Sequence, residues 1–249
     1  MIKRMKKYFF ACVALMLVAT LVWAGNDNKV SEQRSLSGFE KIVLKGSPTI
    51  KYTQGSQFKV EVQAPKDIIK NVQTNVNGKT LEVSIKSRKW SWRGLKDQNV
   101  TILVTSPDLI GIELLGSGDF ECKNHLDTDH LDVMLKGSGD IVFTDIICDK
   151  LTTSVVGSGD LTIDKVISQT ADIDLIGSGD IKIKEQKVNQ TKVGLKGSGD
   201  IALTLQNCGV IDCRLLGSGD ITLRGDVTKF NSYTRGSGDI HTQKLKIGK

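Results

Sequence analysis

Apolar residues recur at every second position along most of this chain, in short runs that repeat. One set runs Leu131, Val133, Leu135, then Leu151, Thr153, Val155, then Ala171, Ile173, Leu175, and again Ile211, Cys213, Leu215. A second set runs Ile141 and Phe143, Leu161 and Ile163, Ile181 and Ile183, Ile201 and Leu203, Ile221 and Leu223. Period-two alternation predicts strands with one buried face. Between the two sets stands the tetrapeptide GSGD, beginning at Gly116, Gly137, Gly157, Gly177, Gly197, Gly217 and Gly236, with spacings of 21, 20, 20, 20, 20 and 19 residues. A looser third side follows each pair of strands, as in Asp145 to Lys150, where Ile146 or Ile147 of one repeat gives way to Gln186 or Lys187 of another.

A repeat of about 20 residues with one apolar stripe per strand buries that stripe only by stacking on its neighbours. The identical phase of every apolar position favours parallel stacking over a run of antiparallel hairpins. The predicted fold class is therefore all-β: a right-handed parallel β-helix, or solenoid, on the order of 30 Å long at roughly 4.8 Å per rung. In each corner the glycines, among them Gly137 and Gly139, Gly157 and Gly159, Gly177 and Gly179, Gly197 and Gly199, and Gly217 and Gly219, are expected to take positive φ.

Stacking in register lines up Asp140, Asp160, Asp180, Asp200 and Asp220, flanked by Asp119 and Asp239, as a carboxylate ladder. Like charges about 5 Å apart repel by about 1 kcal/mol even in water, so something must compensate. One reading places Ca²⁺ along this edge, since calcium prefers clustered carboxylates. The preferred reading is that each Asp caps a turn by hydrogen bonding to its own loop.

Residues 38–106 lack GSGD but alternate at Ile42 and Leu44, Val60 and Val62, Leu81, Val83 and Ile85, and Val100, Ile102 and Val104. They predict a β-rich N-terminal cap with hairpin turns at Gln54-Gly55-Ser56 and Asn77-Gly78, and a degenerate corner at Gly46-Ser47-Pro48. The solenoid proper is expected over 107–249.

Residues 1–24 read as a signal peptide: Lys3, Arg4, Lys6 and Lys7 precede an apolar run ending at Ala24, where cleavage is expected, with 25–37 a flexible linker. No membrane span is expected after cleavage. The chain carries 34 Lys and Arg against 28 Asp and Glu. Four of the basic residues belong to the leader, which leaves a net charge of only +2 and removes the compositional case for nucleic-acid binding. Cys122, Cys148, Cys208 and Cys213 are expected as small core residues. Cys148 and Cys208 share one phase three rungs apart, roughly 14 Å at strand spacing and beyond disulfide reach.

One stretch departs from its surroundings. Arg88, Trp90, Trp92 and Arg93 lie among further basic residues, a composition suited to stacking on sugar rings or holding an anionic glycan. The preferred reading is that the tryptophans plug the solenoid's open end while the basic residues form a solvated loop, the ligand patch standing close behind it. His125 and His130, with Asp127 and Asp129, predict a surface loop in preference to a metal site. No cofactor is expected apart from the Ca²⁺ reading, and no nucleophile elbow, phosphate loop or CxxC pair is present.

The pattern Gly38-Phe39-Glu40-Lys41-Ile42, the Asn77-Gly78 turn before Leu81, the step Thr105-Ser106-Pro107-Asp108-Leu109 and the GSGD series together resemble the bacterial head GIN domain family of auto-transporter adhesins. The resemblance covers Leu36 to the C-terminus. It implies an exported β-helical protein of the cell envelope, in the periplasm or at the surface of a Gram-negative bacterium. It carries over no ligand and no catalytic residue. An autotransporter needs a C-terminal membrane barrel, and only ten residues follow Asp239, so another export route is expected. Lys244, Lys246 and Lys249 read as an edge guard against strand-to-strand aggregation.

The expected function is that of a non-catalytic adhesin binding an envelope glycan or a surface protein. The alternatives are a structural spacer without ligand and, less favoured, a polysaccharide-acting β-helix enzyme.

Overall fold

The structure, a computed structural model, describes residues 29–86 and 100–248. Its opening strands are β1 (Lys29–Arg34), β2 (Lys41–Gly46), β3 (Thr49–Gln54), β4 (Lys59–Pro65), β5 (Val72–Asn77), β6 (Thr80–Ile85) and β7 (Thr101–Ser106). Then come β8 (Gly111–Gly116), β9 (Asp119–Asp127), β10 (His130–Gly137), β11 (Ile141–Ile147), β12 (Lys150–Gly157), β13 (Leu161–Ile167) and β14 (Thr170–Gly177). The last five are β15 (Asp180–Gln186), β16 (Gln190–Gly197), β17 (Asp200–Gly217), β18 (Ile221–Gly236) and β19 (Ile240–Ile247).

From β8 onward all pairing is parallel and rung on rung. The strand before each GSGD corner stacks on the strand before the next, as β10, β12, β14 and β16 do in unbroken register from Lys150↔Thr170 to Gly157↔Gly177. These strands form the broad wall of the solenoid. The strands after the corner stack likewise, with a register irregularity where a strand bends into the third side. Every second residue points inward: Leu135, Val155, Leu175, Leu195 and Leu215 form one continuous buried column. Each such side chain contributes roughly 1.5–3 kcal/mol of burial.

The corner shows why GSGD repeats. Gly157 has φ +131°. The other glycine of that corner, Gly159, does not have positive φ, which corrects the expectation for the second glycine of each corner. Its constraint is contact: a Cβ on Gly159 would run into the carbonyl oxygen of Gly139 one rung away. Tight stacking lets the N–H groups of Ser158 and Gly159 both donate to the Gly137 carbonyl, at 2.9 and 3.1 Å.

The N-terminal region joins the same body, and so does part of the expected 25–37 linker, since β1 pairs antiparallel with β4 from Lys29↔Pro65 to Arg34↔Val60. Gly46 aligns with Gly116, and Ser117 N–H donates to Gly46 O at 3.1 Å, so Gly46-Ser47-Pro48 is a corner in register with the rest. β2 lies between β6 and β8, and β3 between β7 and β9. The Asn77-Gly78 hairpin is present as antiparallel β5–β6. The expected hairpin at Gln54-Gly55-Ser56 is not: β4 pairs antiparallel with β7, which lies between it and β3. The loop crosses over β7 because β3 is already hydrogen bonded on both sides. At the other end, the last strand β19 carries Lys244 and Lys246 exposed.

Aromatic packing and one buried carboxyl distinguish the core. Tyr52, Phe120 and Phe143 pack across the first rungs, with ring centroids 6.2 and 5.2 Å apart, and Tyr52 Oη bonds with Ser106 Oγ at 3.0 Å. On the third side the buried column reads Leu126, Ile146, Val166, Glu185, Leu205. Glu185 is 1% exposed; Thr191 Oγ1 donates to its Oε2 at 2.6 Å, while Oε1 has no partner among the described residues. Burial pushes its carboxyl up to about 7, opposed by the Thr191 bond. All four cysteines among the described residues are free and buried.

Candidate functional site

The carboxylate ladder forms as expected, but its bonding differs. Each Asp side chain reaches the next rung instead of its own loop: the N–H of Asp180 donates to Asp160 Oδ1 at 2.9 Å and that of Asp220 to Asp200 Oδ1 at 3.0 Å. The same bond joins Asp119 to Asp140, Asp140 to Asp160, Asp180 to Asp200 and Asp220 to Asp239. Stacking brings the neighbouring rung's N–H within reach of a short side chain, and each bond offsets part of the repulsion between adjacent carboxylates. At the last full rung Asp220 also meets His241 Nε2 at 3.3 Å; the Asp239 N–H first, then His241, hold its carboxyl below the ordinary range. Among the described residues no group of three or more His, Cys, Asp or Glu side chains is placed to hold a metal ion.

His125 pairs with Asp145 of the next rung at 3.1 Å, and Lys165 approaches the same carboxylate at 3.1 Å from the rung beyond. This column does not join His130, Asp127 and Asp129 into a cluster. Arg88, Trp90, Trp92 and Arg93 lie outside the described residues, between the end of β6 and the start of β7.

The broad wall holds a site that alternation alone did not mark. Outward residues form columns there too, and one reads Met134, Ser154, Asp174, Gly194, Arg214, Tyr233. The adjacent column reads Thr152, Asp172, Lys192, Asp212, Asn231. Gly194 interrupts the first with bare backbone, and a groove of about 450 Å³ opens over it, rimmed by Asp172, Asp174, Lys192, Asp212 and Arg214. Asp174 leans across the gap so closely that a Cβ on Gly194 would run into its Oδ1. Burial first, and then the charge of Asp172, push its carboxyl above the ordinary range. Arg214 lies over the ring of Tyr233, 5.6 Å from the centroid, and Asn231 Nδ2 donates to Asp212 Oδ1 at 2.7 Å. A glycine in mid-strand is the signal that marks such a place, because it weakens a strand and lets another group approach the backbone closely. The groove sets acceptors and donors a rung apart around a strand that lacks a side chain at Gly194, which suits it to hold a hydrogen-bonding ligand.

Two overlapping segments, residues 38–207 and 166–249, match the family model described as "Putative auto-transporter adhesin, head GIN domain". Among solved structures the chain is similar to a "putative adhesin" from Bacteroides fragilis, at 28% identity over 86% of this chain and 96% of that one, with a TM-score of 0.77. It shares its fold with a "putative lipid binding protein" from Parabacteroides distasonis, at 23% identity over 87% of this chain and 97% of that one, TM-score 0.66. A "putative adhesin" from the same species has that fold as well, at 19% identity over 87% and 98% of the two chains, TM-score 0.61. No curated protein matches the chain.

Proposed function

Since this chain belongs to the head GIN domain family of auto-transporter adhesins, we propose that it is a non-catalytic envelope adhesin whose broad wall holds a surface glycan or protein. Adhesin membership implies an exported or surface protein, and no helix among the described residues is long and apolar enough to cross a membrane. The finer reading, a periplasmic or surface location in a Gram-negative envelope, is part of the proposal. So is the leader assigned to residues 1–24.

The observation that carries the reading is the groove over Gly194. On a wall of stacked outward side chains, it gathers five charged groups around a mid-strand glycine. A spacer needs no such interruption. Arg88, Trp90, Trp92 and Arg93 are proposed on composition as a second contact, with the Trp90→Ala, Trp92→Ala double variant as its test: unchanged binding would remove it.

Beads coated with the protein, incubated with isolated bacterial envelope fragments, test the adhesin reading. Fragments are used untreated, after mild periodate, and after protease. Retention of untreated fragments is expected, with periodate sensitivity naming a glycan and protease sensitivity a protein. Beads that retain nothing would overturn the adhesin reading in favour of a spacer.

A further inference from the structure

We infer that the groove over Gly194 binds a neutral sugar residue, holding its hydroxyls between the Asp174 carboxylate on one flanking strand and Arg214 on the other, with Lys192 on the strand between them. The inference rests on the wall being the recognition face and assigns the class of ligand that face takes.

Size, charge, bonding state and positioning converge on it. At about 450 Å³ the groove falls within the range of small-ligand sites, roughly 300–1,000 Å³. Its rim mixes charge in a fixed geometry: Asp172, Lys192 and Asp212 follow one another in register, as do Asp174, Gly194 and Arg214. Hydroxyls both donate and accept, so a ring carrying neighbouring hydroxyls can donate hydrogen bonds to Asp174 and accept them from Arg214 and Lys192. Other common ligand classes satisfy the two signs less well. An anion meets three carboxylates against two cations, a metal ion meets Lys192 and Arg214, and an apolar ligand would strip water from five charged groups without replacing it.

The bonding state of the rim points the same way. Among the described residues no side-chain hydrogen bond or ion pair is made by Asp174, Lys192 or Arg214, although the Asp172 side chain has Lys150 at 3.9 Å and that of Asp212 has Asn231. Asp174 is nevertheless drawn over the backbone and partly desolvated. A hydroxyl pair would supply the donors it lacks. Positioning adds to this: Tyr233, one rung beyond, stacks with the Arg214 guanidinium and limits its freedom.

The test is an array of immobilised neutral and acidic oligosaccharides probed with the protein and with three variants: Asp174→Ala, Arg214→Ala and Gly194→Leu. Thermal melts check that each variant is folded. Because Asp174 and Arg214 are outward residues, their variants keep the test decisive should Gly194→Leu fail to fold. Binding to neutral glycans is expected, with a loss of tenfold or more in Asp174→Ala and Arg214→Ala. Signal on acidic glycans alone, or neutral binding unchanged in both alanine variants, would overturn the inference. Silence across the array, with envelope fragments still retained by coated beads, would overturn the sugar assignment and leave the adhesin reading standing. Silence in both assays would remove both.

Discussion

The backbone N–H of Asp180 donates to the side chain of Asp160 at 2.9 Å, so the residue that closes each corner ties down the start of the next rung's strand. The acceptor atom matters here more than the charge. Asp160→Ala removes a charge-assisted bond at an exposed edge and is expected to destabilise the protein by about 1 kcal/mol. Asp160→Asn keeps an oxygen acceptor, relieves repulsion along the ladder, and should lie within about 0.5 kcal/mol of the parent. Urea denaturation of the two variants measures the difference; equal losses would show that the charge, and not the acceptor atom, carries the effect.

Gly159 is held by contact and Ser158 by its backbone alone. Gly159→Ala forces a methyl group into the Gly139 carbonyl and should cost about 3 kcal/mol, at the upper end of overpacking in a tight interior. Ser158→Ala leaves both corner hydrogen bonds in place and should change stability by less than about 0.5 kcal/mol. Melting temperatures of the pair separate the two roles.

Glu185 makes stability depend on pH in a direction opposite to that of a salt-bridged carboxylate. Its folded value, about 7, lies above the 4.5 of the exposed group. Its contribution is therefore fully present below pH 4.5, declines as pH rises, and is lost above about pH 7, a total of roughly 3 kcal/mol. Glu185→Gln should flatten this part of the pH profile. Glu185→Leu, which restores the apolar column of Val166 and Leu205, should be more stable than the parent at about pH 8, where the buried carboxylate is charged. Denaturation midpoints across this pH range give the answer, and a parent profile parallel to that of the Gln variant would contradict the assignment.

The cysteines behave as core residues. Burial pushes the Cys122 thiol up to about 11 and those of Cys148 and Cys213 to about 12. A thiol reagent at about pH 8 should leave Cys122, Cys148, Cys208 and Cys213 untouched in the folded protein and label all four in urea. Rapid labelling of the native chain would mean the core is open.

The solenoid was legible because its two signals reinforce each other. Alternation marks which side chains face in, and the GSGD spacing sets how rungs stack, as in the column held in turn by Leu135, Val155 and Leu175. What escaped the sequence depends on contacts between rungs. The second corner glycine, Gly159, is fixed by the carbonyl of Gly139, and the Asp160 side chain by the N–H of Asp180; both partners lie 20 residues away and are invisible to local turn chemistry. Glu185 was readable in principle, since Ile181, Ile183 and Glu185 continue the alternation that Ile201, Leu203 and Leu205 repeat. Its charge argued for an outward place, and the register overrode it. The groove at Gly194 could be found only by comparing outward positions across rungs, because its rim is assembled from three strands.

Carboxyl footprinting tests the central claim, that the broad wall is the recognition face, most directly. The protein is labelled at its Asp and Glu side chains with and without saturating envelope fragments, and labelling is read by mass spectrometry. Protection of Asp172, Asp174 and Asp212, with the ladder residues Asp140, Asp160 and Asp180 labelled as before, is the predicted result. Protection confined to the ladder, or none on the wall while fragments are bound, would contradict it.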